Sequence, residues 1–245
     1  MRVAVLSDIH ANLRALEAVL ALVGPVDAVW HLGDIVGYGP DPDAVVARLD
    51  ELGAVGVRGN HDLAATGDDV ILDFNADARA AMEWTRRTIT PATLAWLAAL
   101  PERRTVEGFS LVHGSPRDPT WEYILSETAA AANIELLPTT QGFFGHTHLP
   151  IAYVQAAGSR SAATIETVEP AAGSSLLLDR RRGLFNPGSV GQPRDGDRRA
   201  SAIVLDLVTR RATWVRTEYD IEATQRAMQA AKLPARGIQR LSAGI

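Results

Sequence analysis

The 245-residue chain contains no cysteine. A disulfide framework and a thiolate metal site are therefore both excluded, and any bound metal must sit on nitrogen and oxygen ligands. No apolar run approaches the roughly 18–20 residues that a membrane-spanning helix needs. Basic tracts are lacking as well: 24 Lys and Arg stand against 29 Asp and Glu, a formal net charge of −5. That balance argues against a large nucleic-acid surface, which needs a broad positive face. It does not exclude a phosphorylated substrate, because bound cations would supply the positive field. A glycine-rich phosphate loop is also missing. The first turn reads Ser7-Asp8-Ile9-His10-Ala11-Asn12, which speaks against a generic nucleotide-binding domain. No internal repeat is evident.

The remaining composition, 47% hydrophobic and 22% charged, is ordinary for a soluble globular protein. The length fits one domain, residues 1–245, with room for cap-like insertions. Arg2 precedes a short apolar run, Val3 to Leu6, that Asp8 and His10 interrupt. No secretory h-region results, and a cytoplasmic location is expected.

Apolar periodicity sets out the elements. Val3 to Leu6 predicts a buried strand, and Leu13, Leu16, Leu20 and Val23 recur at near-helical spacing with Asn12 as N-cap and Gly24-Pro25 as the stop. Ala28 to Leu32 predicts a strand, Pro42 to Leu52 a helix, and Val55 to Arg58 a third strand. This alternation is the signature of an α/β sheet with parallel neighbours. Ala76 to Thr88 and Pro91 to Leu100 predict helices, the second capped by Thr90. Ser110 to Val112 predicts a strand, Glu127 to Ile134 a helix, and Gly142 to Gly145 a return to the sheet. The last hundred residues are strand-rich: Ile151 to Val154, Ser175 to Leu178, and Ala202 to Val208 paired with Ala212 to Thr217 across Thr209-Arg210-Arg211. Asp220 to Lys232 predicts a closing helix. The Ala, Gly and Ser-rich stretch from Ala156 to Ser175 predicts a flexible loop.

Five of the 6 histidines lie in short acidic or glycine-flanked motifs. In order these are Asp8-Ile9-His10, Gly33-Asp34, Gly59-Asn60-His61-Asp62, His113-Gly114 and Gly145-His146-Thr147-His148. Asp8, Asp34 and Asn60 each stand just beyond a predicted strand end, where open α/β sheets gather ligands. Residues two apart in an extended segment point to one side. Asp8 and His10, and likewise His146 and His148, are thus expected to face one cavity. Asp34 has two oxygens to bridge two cations, and Asn60 offers a neutral carbonyl. Imidazole with carboxylate suits Mn, Fe, Zn or similar divalent ions. Singly, each motif is weak, since Gly-Asp is common in turns and a lone histidine is more often structural. All five together, in order and at strand ends, reverse that preference. His31, inside a predicted strand, is read as structural.

The series Asp-x-His, Gly-Asp, Gly-Asn-His-Asp, His-Gly and Gly-His-x-His resembles the calcineurin-like metallophosphoesterase superfamily over Val3 to His148. Asn186-Pro187-Gly188-Ser189 is similar to a loop of its compact bacterial phosphoesterases. The resemblance implies a four-layer αββα sandwich with two mixed β-sheets and a small helical cap. The cap-like insertions fall at about 62–105 and 115–140. One metal would be held by Asp8, His10, Asp34 and His148, and a second by Asp34, Asn60, His113 and His146. A metal-bridging hydroxide would attack phosphorus, with His61 as general acid and Asp62 orienting its ring or, equally, capping the following helix.

The implied activity is a dinuclear metal-dependent phosphodiesterase on small soluble substrates such as nucleotides. A phosphomonoesterase or protein phosphatase is the nearest rival. A non-catalytic scaffold for a protein partner is disfavoured by the complete ligand set with His61. Tyr38, Arg58, Arg117 and Arg194 lie near motifs and are candidate substrate contacts, although solvated or ion-paired arginines fit as well. Trp84, Trp96 and Trp121 could line a base-stacking cap or simply fill the core.

Overall fold

Strand β1 (Arg2–Leu6) divides its side chains between two cores: Val3 and Val5 face one, Ala4 and Leu6 the other. That period-2 alternation sets up the layers in this computed structural model, which describes residues 1–67, 69–157 and 164–245. Helix α1 (Leu13–Val23), β2 (Ala28–His31), α2 (Pro42–Glu51) and β3 (Val55–Gly56) follow in the expected alternation. The Asn12 side chain accepts from the Ala15 amide at 3.2 Å, and α1 ends at Gly24 with φ +64°. Pairing of β1 with β2 and of β2 with β3 is parallel, with Val3 opposite Ala28 and Trp30 opposite Val55.

Next come α3 (Asn60–Ala65), a 3₁₀ turn at Asp69–Asp73, α4 (Ala76–Thr88), α5 (Pro91–Ala98), β4 (Arg103–Val106) and β5 (Phe109–Val112). Helix α6 (Glu127–Leu136), β6 (Gln141–Phe143), β7 (Pro150–Gln155), β8 (Ile165–Val168), β9 (Ser175–Leu177) and β10 (Gly183–Pro187) lead to β11 (Ala200–Asp206) and β12 (Arg211–Thr217). Two helices close the chain, α7 (Ile221–Ala230) and α8 (Ala235–Ala243).

The strands form two mixed six-stranded sheets, β3-β2-β1-β11-β12-β9 and β4-β5-β6-β10-β7-β8. Val5, Trp30, Ile203 and Trp214 of the first sheet pack on Phe109, Phe143 and Phe185 of the second. Each such large side chain, fully buried, stabilises the sandwich by roughly 1.5–3 kcal/mol relative to exposure. On the far side of the first sheet, Ala4 and Leu6 meet Leu16 and Val19 of α1 and Val45 and Leu49 of α2. On the far side of the second, Phe144, Tyr153 and Leu184 meet Ala130 and Ile134 of α6. Helix, sheet, sheet, helix is the four-layer αββα arrangement that the resemblance implied.

Several local expectations are corrected. Strand β8 lies inside the stretch expected to be a flexible loop, pairing antiparallel with β7 from Ala152↔Val168 to Gln155↔Ile165; 158–163 of that stretch fall outside the described residues. The β11–β12 turn begins earlier than Thr209, because Asp206 Oδ1 accepts from the Val208 and Thr209 amides and closes the chain there. Strands β4 and β10 and helix α8 have no counterpart in the reading by periodicity. Helix α6 forms the outer layer of the second sheet rather than a cover over the motifs.

Candidate active site and metal centre

The loops after β1, β2 and β3 of the first sheet and after β5 and β6 of the second converge at one edge of the sandwich. Asp8 follows β1, Asp34 follows β2, Asn60 opens α3, His113 follows β5, and His146 and His148 follow β6. These six, and His10 with them, are at most 5% exposed.

The way these residues converge differs from the extended-segment geometry expected. Asp8, His10, Asp34, His146 and His148 have φ of +52°, +48°, +53°, +65° and +60°. Each therefore sits in the left-handed region, which costs a non-glycine residue on the order of 1–2 kcal/mol. Left-handed turns aim both donors of each motif into one cavity. Neighbouring loops hold them there: the Asp8, His10 and Ala11 amides donate to Gly33, Asp34 and Ile35 carbonyls at 3.1, 2.9 and 2.8 Å. Ser189 Oγ donates to the Asp8 carbonyl at 2.7 Å, and Asn186 Nδ2 to the Gly145 carbonyl at 2.8 Å. The Asn186–Ser189 segment thus ties the first and last motifs together.

Hydrogen bonding assigns the ring tautomers. His10, His113 and His148 direct Nδ1 at the carbonyls of Val36, Leu32 and Gln192, at 3.2, 2.8 and 2.6 Å. In neutral rings Nδ1 is then the donor and Nε2 keeps a lone pair aimed inward. Those atoms cluster. His10 Nε2 lies 3.1 Å from His148 Nε2 and 3.7 Å from Asp34 Oδ2, and His148 Nε2 lies 3.3 Å from Asp8 Oδ1. His113 Nε2 lies 3.4 Å from Asp34 Oδ2 and 3.0 Å from both Asn60 Oδ1 and His146 Nδ1.

Two overlapping donor groups result, Asp8–His10–Asp34–His148 and Asp34–His113–His146, with all donor atoms of each group within 4.8 Å of one another. Asp34 belongs to both. Two imidazole lone pairs facing each other at 3.1 Å repel unless a cation or proton lies between them. His146 Nε2, moreover, is buried without a hydrogen-bond partner among the described residues. A hard-to-borderline set of carboxylates and neutral imidazoles fits a divalent metal.

The charge states agree. Burial holds His10, His146 and His148 well below the usual histidine range, and hence neutral. Burial pushes His113 the same way, but Asp34 and Asp8 outweigh it and raise it to about 9. Burial would lift Asp34 too, yet His113, His61 and His10 hold it well below the usual carboxylate range. At Asp8 burial prevails over His113 and raises the carboxyl to about 7. In the metal-free protein a proton on His113 serves as the counter-charge.

His61 lies beside this centre. Its amide donates to Asp34 Oδ1 at 2.9 Å, and its ring packs 4.8, 4.6 and 4.7 Å from His10, Tyr38 and Phe74. Nδ1 faces Met82 Sδ at 3.2 Å, and Nε2 makes no hydrogen bond among the described residues. Burial brings the ring down to about 4 against the pull of Asp34. Among the described residues, Asp62 makes no hydrogen bond to that ring. Its Oδ1 accepts from the Ile35 and Val36 amides and its Oδ2 from the Gly59 amide, at 2.8, 3.2 and 2.9 Å. The carboxylate caps α3 and fixes the loop behind Asp34, and the aromatic cage orients His61.

A cavity of about 450 Å³ opens over the centre, lined among others by Asp34, Asn60, His61, His146, His148, Tyr38 and Arg194. Arg58 and Arg117 are not brought to it: Arg58 pairs with Glu102 at 2.8 Å, and the exposed Arg117 with Glu122. Trp121 lines the cavity, packed edge-on to Phe74. Trp96 packs against His31 and donates to Asp50, and Trp84 packs beneath α8. Phe74, Asp77, Tyr123, Arg236 and Arg240 also line the cavity, and the sequence reading missed them. The signal for the last two was Ile238 and Leu241 at helical spacing after Pro234.

A sandwich carrying carboxylate and imidazole donors for divalent metal at one edge defines a metal-dependent hydrolase. The chain belongs to the calcineurin-like phosphoesterase superfamily, whose domain model matches residues 1–210. It is similar to a metallophosphoesterase from Sphaerobacter thermophilus of known crystal structure, 41% identical with a TM-score of 0.90 over 100% of this chain and 99% of that one. An uncharacterised protein of Methanocaldococcus jannaschii is 33% identical over 95% of this chain and 93% of its own. Phosphodiesterase YfcE of Escherichia coli is 28% identical over 80% of this chain and 83% of its own. Among the described residues no helix is long and apolar enough to cross a membrane.

Proposed function

We propose that the chain is a phosphodiesterase for small soluble phosphate esters such as nucleotides, working with two divalent ions. The observation that carries this reading is the pair of donor groups sharing Asp34 beneath the cavity. Asp8, His10, Asp34 and His148 would hold one ion, and Asp34, Asn60, His113 and His146 the other. Once bound, such ions supply Lewis acidity and positive charge at phosphorus. Manganese is the first ion to try. Likeness to YfcE, a phosphodiesterase, supports diester over monoester chemistry.

The remaining work falls to the chain. His61 Nε2 is the proton donor to the leaving oxygen. In the free protein burial keeps that ring near pKa 4, and an anionic ester lying against it favours the imidazolium. Tyr38 and Arg194, which line the cavity, contact the substrate, and the aromatic cage holds the His61 ring on target. The insertions at about 62–105 and 115–140 act as walls that limit substrate size, through Phe74 and Asp77 from the first and Trp121 and Tyr123 from the second.

The test is hydrolysis of bis(4-nitrophenyl) phosphate beside 4-nitrophenyl phosphate by metal-stripped protein, before and after Mn²⁺ addition. Metal-restored turnover with the diester preferred is the expected result. A monoester preference would select the phosphatase instead. Silence on both substrates with two metals bound would favour a scaffold.

A further inference from the structure

Helix α8 lies beyond the residues 1–210 that the family model matches, yet it reaches the active-site cavity. Ile238 and Leu241 pack with Met228 and Leu233 and against Tyr38 and Trp84, which fixes how the helix faces the site. Arg236 and Arg240, one turn apart on a shared flank, thereby line the cavity together with Arg194.

Among the described residues, Arg194 and Arg236 have no ion-pair partner. Arg194 donates to the neutral Gln192 Oε1 at 3.1 Å, and its Nε is buried without a partner among the described residues. Arg236 is exposed and has no ion pair among the described residues. Arg240 Nε donates to the terminal carboxylate of Ile245, which leaves two guanidinium charges of the three unmatched. Asp77, which with Asp34 lines the cavity, attracts Arg240, while Arg194 and Arg236 repel it. A guanidinium cluster that outnumbers its counter-charges is an anion site, since the planar fork matches phosphate oxygens. The metal centre already has its own claim on the ester that is cut. Three further cations exceed what one phosphoester needs.

The same cavity is lined by Trp121 and Phe74, edge to face at 5.9 Å, and by Tyr123, which stacks on His146 at 3.8 Å. These π-faces suit a nucleobase. A cavity of about 450 Å³ has the size of a small-molecule site. We infer that Arg194, Arg236 and Arg240 form a subsite for a second phosphate of the substrate, away from the bond that breaks, so that preferred substrates are nucleotides bearing at least two phosphates. This rests on the phosphodiesterase reading above.

The experiment is competitive inhibition of bis(4-nitrophenyl) phosphate hydrolysis with Mn²⁺ in excess, comparing AMP with ADP and adenosine 3′,5′-bisphosphate. One of the doubly phosphorylated compounds should inhibit at least about tenfold more tightly than AMP, the scale of one charge-assisted hydrogen bond. In R236Q/R240Q that advantage should shrink to about twofold or less. R236Q alone, at an exposed position that does not endanger folding, should reduce it about threefold. The readout is a ratio of Ki values, so a general change in activity cancels. No advantage in the wild type, or an undiminished one in both variants, overturns the subsite while leaving the phosphodiesterase intact. No diester hydrolysis by wild-type protein overturns both.

Discussion

Gly59 offers a sharp test of how the centre is built. Its φ is −97°, so alanine suits the backbone there and only contact is at issue. A Cβ at this position would lie 2.1 Å from Asp34 Oδ1 and 2.5 Å from the Asp34 amide nitrogen, against an ordinary contact of 3.4–4 Å. The obstacle is backbone plus the carboxylate common to both donor groups, so no flexible side chain can move aside. In a close-packed interior, either α3 with Asn60 and His61 or the Asp34 loop must shift by about 1 Å. A displacement of that size at reacting groups costs about 100-fold in rate. Gly59→Ala should therefore lower metal-restored kcat/KM for bis(4-nitrophenyl) phosphate about 100-fold and weaken bound metal by elemental analysis. The control is Gly53→Ala, at φ +57° with nothing within 4 Å. It should cost only backbone strain, about 1 kcal/mol, seen as a lower Tm with activity per folded molecule retained. Folded Gly59→Ala protein within threefold of wild-type activity would refute the assigned role of Asp34.

Three further outcomes bear on the same centre and its surroundings. Asp34→Asn should reduce metal content at both donor groups, whereas His61→Ala should keep the metal and lose about 10²–10⁴-fold in turnover; equal metal loss in the two would contradict the division of roles. With His113 at about 9 and Asp8 at about 7 in the metal-free protein, metal must displace protons. Affinity should rise from pH 6 to 9, with proton release visible by calorimetry in buffers of different ionisation enthalpy, and a flat affinity would count against these charge states. Burial holds His31 at about 3, so below pH 6.5 the unfolded chain takes up a proton that the folded one refuses. Stability should fall by about 2 kcal/mol between pH 7.5 and 5 on that account. His31→Leu should remove that part of the difference in urea unfolding, and identical pH dependence in both proteins would speak against it.

Legibility in the sequence followed the distance over which each cause acts. The βα alternation of the first sixty residues was readable because Val3–Leu6 and Leu13–Val23 each carry a complete local pattern. The donors were readable because chemistry restricts which residue types can serve. Strand β4 was hidden by its composition, Arg-Arg-Thr-Val, typical of an edge that charge protects. Strand β8, Ile-Glu-Thr-Val, carries strand-forming residues, but four residues are too short a run to stand out within an Ala, Gly and Ser-rich stretch. The left-handed backbone at Asp8, His10, Asp34, His146 and His148 has no sequence signal, since glycine would be the expected residue there. Arg236 and Arg240 reach the cavity through tertiary packing of α8, which no short window reveals.

The two sheets draw their donors from distant parts of the sequence: His10 and His148, 3.1 Å apart, are separated by 138 positions. Neither sheet owns enough of the centre to build it alone. A divalent ion can thus be gripped only after the sheets have docked, and once gripped it acts as a clasp between them. Metal would slow the separation of the sheets while leaving the early, local steps of folding untouched, so its imprint would fall on the lifetime of the native state more than on the speed with which that state is reached.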